Sequence, residues 1–169
     1  MIHISEAKKL EIQAQVNDLL VSLSGDNNKV SLPVDLTTIL SNQNIKLREK
    51  TFADKKISGA YDRKNQTIWI AKSEPYERKV FTVAHELGHF LLHEGIPQEI
   101  FWRNQLVQIA QEKDINEVEA NFFAACLLMP EKIIRNYWEL SHELDILAKI
   151  FGVSNTAVYW RLKNLGLMT

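Results

Sequence analysis

The run Phe81-Thr82-Val83-Ala84-His85-Glu86-Leu87-Gly88-His89-Phe90-Leu91-Leu92-His93 sets two histidines four residues apart in an otherwise apolar stretch. Its spacing predicts a helix from about Tyr76 to His93, broken by Glu94-Gly95-Ile96-Pro97. Four residues advance a helix by about 400°, so His85 and His89 stand about 40° apart, one turn from each other. Two imidazoles so placed can meet one metal ion. Glu86, offset by a single residue, can lean toward a water beside that ion and act as a general base. Zinc suits these ligands because it accepts nitrogen and carboxylate oxygen and tolerates an open fourth position. Hydrogen-bonded core histidines are the plainer alternative. However, two histidines and a glutamate on the inner face of a buried helix are costly unless something compensates them, and metal binding does so.

A catalytic zinc site needs a third protein ligand. A histidine ten residues after His85 would complete one common pattern, but that position is Gly95. His93 lies on nearly the same face as His85, two turns along the axis, and reads as a packing or supporting residue rather than a ligand. Glu117 and Glu119, just ahead of the apolar run Phe122–Met129, are better candidates. Asn121, one turn after Glu117, is placed to orient its carboxylate. An acidic, solvated helix start would account for Glu117 equally well.

Outward from these motifs, the chain reads as α+β: a small antiparallel three-stranded sheet packed on a mainly helical body. An amphipathic helix capped by Ser5 carries Ile12, Val16, Leu19, Leu20 and Leu23 before Gly25-Asp26-Asn27-Asn28 ends it. A short helix over 33–42 follows, with Pro33 near its start. The segments 45–48, 57–61 and 67–71 are rich in β-formers, with Lys64-Asn65-Gln66 as a hairpin turn between the last two. Helices are expected over about 98–112, from Asn116 to Met129, and as two or three shorter pieces across 131–166.

Composition bounds the function without naming it. A chain of 169 residues with 46% hydrophobic and 24% charged residues is an ordinary globular domain. Its formal net charge of -1 argues against bulk nucleic acid or an anionic membrane as partner. A single cysteine, Cys126, excludes an internal disulfide and a cysteine-rich zinc module. No stretch approaches the roughly 20 apolar residues of a membrane span, and the N-terminus lacks a secretory signal, so a cytoplasmic location is expected.

The run Phe81–His89 with Leu92-His93 resembles the core of the ImmA/IrrE metallopeptidase family. The block Glu117-Val118-Glu119-Ala120-Asn121, continuing through Ala124 and Leu127 to Met129-Pro130, is similar to that family's second signature. Weaker matches at Pro33-Val34-Asp35-Leu36 and Ile57-Ser58-Gly59 extend the likeness over about 30–165. One departure is Ala71, which follows Ile68-Trp69-Ile70 where a polar residue is expected. The resemblance implies a gluzincin-like zinc endopeptidase. His85, His89 and Glu117 would hold the metal, with Glu119 as runner-up to Glu117, and Glu86 would activate water. It also implies a protein substrate, a transcriptional repressor of a mobile element or stress response. Residues 1–30 leave room for one helix, so that repressor is expected to be a separate polypeptide. Tyr61, Tyr137 and His142 are chemically able to stabilise an oxyanion, and spacing selects none of them.

The C-terminal stretch suggests another function. Ala148, Gly152 and Val153-Ser154 followed by Val158 have helix-turn-helix spacing, with Gly152 in the turn and Ser154 as a cap. A DNA-binding regulator is therefore a second hypothesis, and a non-catalytic repressor-binding protein a third. Against DNA, residues 144–169 hold Lys149, Arg161 and Lys163 against Asp145, a net of only +2. The expected organisation is a metallopeptidase core over 1–130 and a helical extension over 131–169, part of the same domain.

Overall fold

Ser5 starts the first helix, α1 (Glu6–Ser24), its hydroxyl accepting the Lys8 backbone N–H at 3.2 Å. Ile12, Val16 and Leu20 recur one turn apart and are buried, and Gly25 closes the helix at φ 71°. The structure, a computed structural model, describes residues 3–25, 29–94, 100–104 and 114–168, and of 100–104 the backbone alone. The rest of the expected stop after α1, at 26–28, lies outside the described residues. Helix α2 (Leu36–Asn42) starts later than Pro33, because the Asp35 side chain accepts the Thr38 N–H and sets the N-terminus.

The α+β class holds, but the sheet is not the expected antiparallel three-strander. It is mixed and has four strands in the order β1-β3-β2-β4, formed by β1 (Lys46–Lys50), β2 (Ile57–Asp62), β3 (Thr67–Ala71) and β4 (Ile100–Asn104). The β2–β3 hairpin is antiparallel as its turn predicts, with Gly59 opposite Ile70 and Asp62 opposite Thr67. Within that turn Asp62 accepts the Asn65 N–H at 3.1 Å, and Gln66 takes φ 47°. Strand β1 passes over β2 and pairs in parallel with β3, Lys46 opposite Thr67 and Lys50 opposite Ala71. It forms one end of the sheet with every residue exposed, and Lys46, Arg48, Glu49 and Lys50 keep that edge charged.

Strand β4 corrects the helix expected over 98–112. At 100–104 the backbone pairs antiparallel with β2, Asp62 opposite Ile100 and Ile57 opposite Asn104. The outer edge of β2 offers unpaired backbone groups, and Ile100-Phe101-Trp102 are strand formers, so pairing overrides the helical pattern there. The remaining residues of that expected helix lie outside the described residues, as do 95–97 of the expected break.

Helix α3 (Tyr76–Leu92) stops with His93 as its C-cap, and α4 (Ile115–Leu128) with Met129. The two meet almost backbone to backbone at Gly88. A Cβ built there would lie 3.2 Å from Ala120 Cα, 3.3 Å from Ala120 O and 3.1 Å from Phe123 Cδ1. Helices α5 (Glu131–Leu140), α6 (Leu144–Phe151) and α7 (Asn155–Asn164) fill the C-terminal stretch. Leu147, Phe151, Val158 and Leu162 join Phe123 and Leu127 in one buried cluster. Cys126 is buried beside them, and burial pushes its thiol above the ordinary value, as for a packing residue. No helix among the described residues is long and apolar enough to cross a membrane.

The Gly88 contact leads to a stability prediction. In Gly88→Val three added carbons meet Ala120 backbone that cannot step aside, and the expected loss is about 1–3 kcal/mol. Denaturant unfolding checks this, and a midpoint equal to wild type contradicts it.

Candidate metal centre

The apolar periodicity of α3 turns His85, Glu86 and His89 inward, and all three are buried. Their counterpart comes from the first turn of α4, where Asp114 caps the helix by accepting the Asn116 N–H at 2.9 Å. One turn on from that cap, Glu117 reaches across. Its Oε1 lies 3.1 Å from His89 Nε2 and its Oε2 3.3 Å from His85 Nε2. The two Nε2 atoms are 3.0 Å apart. These three side chains form a group that could hold a metal ion, with ligand atoms all within 4.8 Å of one another. The imidazoles are 1% and 2% exposed and the Glu117 side chain 28%, so the cluster opens to solvent on the carboxylate side.

The distal nitrogens are engaged too. Asn121 Oδ1 stands 2.9 Å from His85 Nδ1. Since an amide oxygen only accepts, the proton sits on Nδ1 and the Nε2 lone pair points toward Glu117. Sequence spacing placed Asn121 as an orienter of Glu117. In the structure its oxygen contacts the His85 imidazole. His89 Nδ1 lies 3.0 Å from His93 Nδ1, and His93 Nε2 3.2 Å from Glu119 Oε2. The choice between the two glutamates, left open by residue pattern alone, thus has a geometric counterpart. Glu117 faces both histidines of the pair, and Glu119 faces His93.

Electrostatics favour a cation among these atoms. Burial acts to raise the Glu117 carboxyl, yet positive charge on the His85–His89 side reverses that and holds it well below the ordinary carboxylate range. Burial also holds the His93 imidazole below its ordinary value, against the raising effect of Glu119. An ionised carboxylate and two imidazole nitrogens at 3.0–3.3 Å need positive charge between them. Histidine and carboxylate donors at this density fit a divalent transition metal such as zinc.

Glu86 faces the sheet. Strand β2 presents Gly59 to it, where a Cβ would lie 3.7 Å from Glu86 Oε1, 3.0 Å from the Trp69 carbonyl, and against Thr82 Cγ2. Only glycine lets the strand come this close, which gives the weak Ile57-Ser58-Gly59 match a physical meaning. The three oxyanion candidates are scattered. Tyr61 is buried on β2 against Phe90, Tyr137 stacks edge-on to Phe151, and His142 stacks on Trp138. A cavity of about 840 Å³ between α1, α3, α4 and α7 shares Asn121 with the cluster but is not lined by His85, His89 or Glu117.

Three comparisons agree with this architecture. The profile of the IrrE N-terminal-like domain, a peptidase family, matches residues 40–163. An uncharacterized immunity region protein of Bacillus phage phi105 is 33% identical over 93 residues, covering 55% of this chain and 56% of that protein. A Mycobacterium tuberculosis transcriptional regulator of known structure shares the fold at TM-score 0.64 and 16% identity, over 90% of this chain and 46% of the other. The chain thus matches about half the length of each. The family match runs from α2 through the sheet, α3 and α4 into α7, and the chain belongs to the IrrE N-terminal-like domain family of peptidases.

Proposed function

We propose that the chain is a zinc-dependent endopeptidase that cleaves a separately encoded transcriptional repressor. The convergence of His85 Nε2, His89 Nε2 and Glu117 within 3.0–3.3 Å, beside buried Glu86, is the observation that carries this reading. Zinc held by these three residues would polarise the scissile carbonyl and acidify water. Glu86, next to His85 on α3, takes the proton of the attacking water and delivers it to the leaving amine. Gly59 keeps the β2 backbone against Glu86 and so limits its rotamers. An extended substrate pairs along β4, the terminal strand on the β2 side of the sheet. On this reading residues 1–130 form the catalytic core, 131–169 extend the same domain, and the protein works in the cytoplasm. The phage relative's immunity-region name supports a repressor as substrate.

DNA binding is the second reading, since α6 and α7 meet at a turn of the expected kind. Gly152 adopts φ 65° and Ser154 accepts the Ala157 N–H at 3.2 Å. Yet Arg161, one of only three cations there, is buried and donates to the Met129 carbonyl at 3.1 Å. Lys149 and Lys163 are too few for a phosphate-gripping surface. A role in docking the repressor fits this helix pair better.

Metal analysis of wild-type protein should give about one zinc per chain, lost in His85→Ala and Glu117→Ala and kept in Glu86→Gln. In Glu86→Gln, cleavage of the repressor substrate should fall at least about 100-fold. Wild-type protein that takes up no zinc, or a Glu86→Gln variant that still cleaves, overturns the catalytic reading. For the second reading, we expect no salt-dependent retention of duplex DNA at micromolar protein; retention that weakens steeply with salt would reinstate it.

A further inference from the structure

Behind His89 stands a line of polar groups that the peptidase reading does not use. His93, the C-cap of α3, lies one turn beyond His89, with Nδ1 3.0 Å from His89 Nδ1. On its other side His93 Nε2 lies 3.2 Å from Glu119 Oε2, which in turn is 3.9 Å from Lys8 Nζ on α1. His89, His93 and Glu119 are all buried, so water does not readily substitute for any of these contacts. The line draws on three helices and ends on the imidazole that faces Glu117.

We infer that Glu119 is a positioning residue that acts through His93 to keep the proton of His89 on Nδ1 and its Nε2 lone pair directed at Glu117. The inference rests on the metal-centre reading given above. The argument is one of hydrogen-bond polarity. A carboxylate oxygen accepts only, so a nitrogen 3.2 Å away from it carries the proton, and a neutral His93 is then bare at Nδ1. That bare nitrogen, 3.0 Å from His89 Nδ1, accepts a proton from it. His89 is thereby protonated on the nitrogen that faces away from Glu117, which leaves the other as a ligand. The reverse arrangement sets two acceptors face to face at the Glu119 end. Asn121 imposes the same tautomer on His85 in a single step. His89, a turn further along α3, is reached through His93 in two steps.

Glu119 and Glu117 therefore divide the work of one acidic helix start. Two residues along a helix turn it by about 200°, so one carboxylate faces the two histidine Nε2 atoms and the other faces His93. Lys8 and its neighbour Glu11, paired at 2.9 Å, tie the Glu119 end to α1.

The test reads protons and metal affinity rather than cleavage. Two-bond ¹H–¹⁵N spectra of wild-type protein should report His93 as the Nε2–H tautomer and His89 protonated on Nδ1, with or without zinc. In Glu119→Ala His93 should lose that single tautomer, and zinc affinity, measured against a chromophoric chelator, should fall about 10–100-fold. Glu119→Gln retains an oxygen that accepts from His93 and should recover most of the affinity, which a charge-only role would not do, while the His93 tautomer separates positioning from packing. His93 protonated on Nδ1 in wild type overturns the inference, and so does Glu119→Ala binding zinc as wild type does. If wild-type protein binds no zinc the peptidase reading fails, while the tautomer spectrum still decides the role of Glu119.

Discussion

Three electron-pair donors held at 3.0–3.3 Å, two of them nearly inaccessible to water, repel one another unless positive charge lies among them. The fold forces this arrangement and then supports it. Inward periodicity on α3 delivers two imidazoles, the capped start of α4 delivers a carboxylate, and Asn121 and His93 hold the ring nitrogens on the far side. Distances this short are set by the contact at Gly88 and Ala120. Without a side chain at Gly88 the two helices approach closely enough for Glu117 to span both histidines. The sheet has a lesser part: it backs Glu86 through Gly59 and supplies the terminal strands.

What the amino-acid sequence made legible was whatever depends on local periodicity. The helix carrying His85 and His89 ends within a residue of its expected stop, and Glu117 lies in the first turn of its helix. The choice between Glu117 and Glu119 was open to residue pattern alone, because it depends on how α4 is rotated against α3, a tertiary property. Asn121 was legible as a supporting residue, but its contact with His85 was not, for the same reason. Strand pairing was less legible still. Nothing in Lys46–Lys50 distinguishes a parallel partner in β3 from an antiparallel one in β2, since all its side chains are exposed. Ile100-Phe101-Trp102 satisfies helical and extended patterns alike, and the free edge of β2 settles the matter.

The C-terminal helix pair illustrates how one motif can have two uses. Its turn has the backbone geometry of a helix-turn-helix, with Gly152 left-handed and Ser154 capping. Its side chains, however, look inward: Val158 and Leu162 enter the common core, and Arg161 satisfies the carbonyl end of α4. The arginine that a nucleic-acid surface would need is occupied in joining α7 to one of the helices that bear the cluster.

The meeting of α3 and α4 at Gly88 also bears on thermodynamics. The donors belong to separate helices and converge only when those helices are docked, so a cation bound there favours the docked state over the unfolded chain. Each tenfold rise in free metal above the dissociation constant adds about 1.4 kcal/mol to the folded state. On the proposed function, lifetime in the cell would follow the metal supply: a starved chain would lose part of its resistance to degradation along with its chemistry.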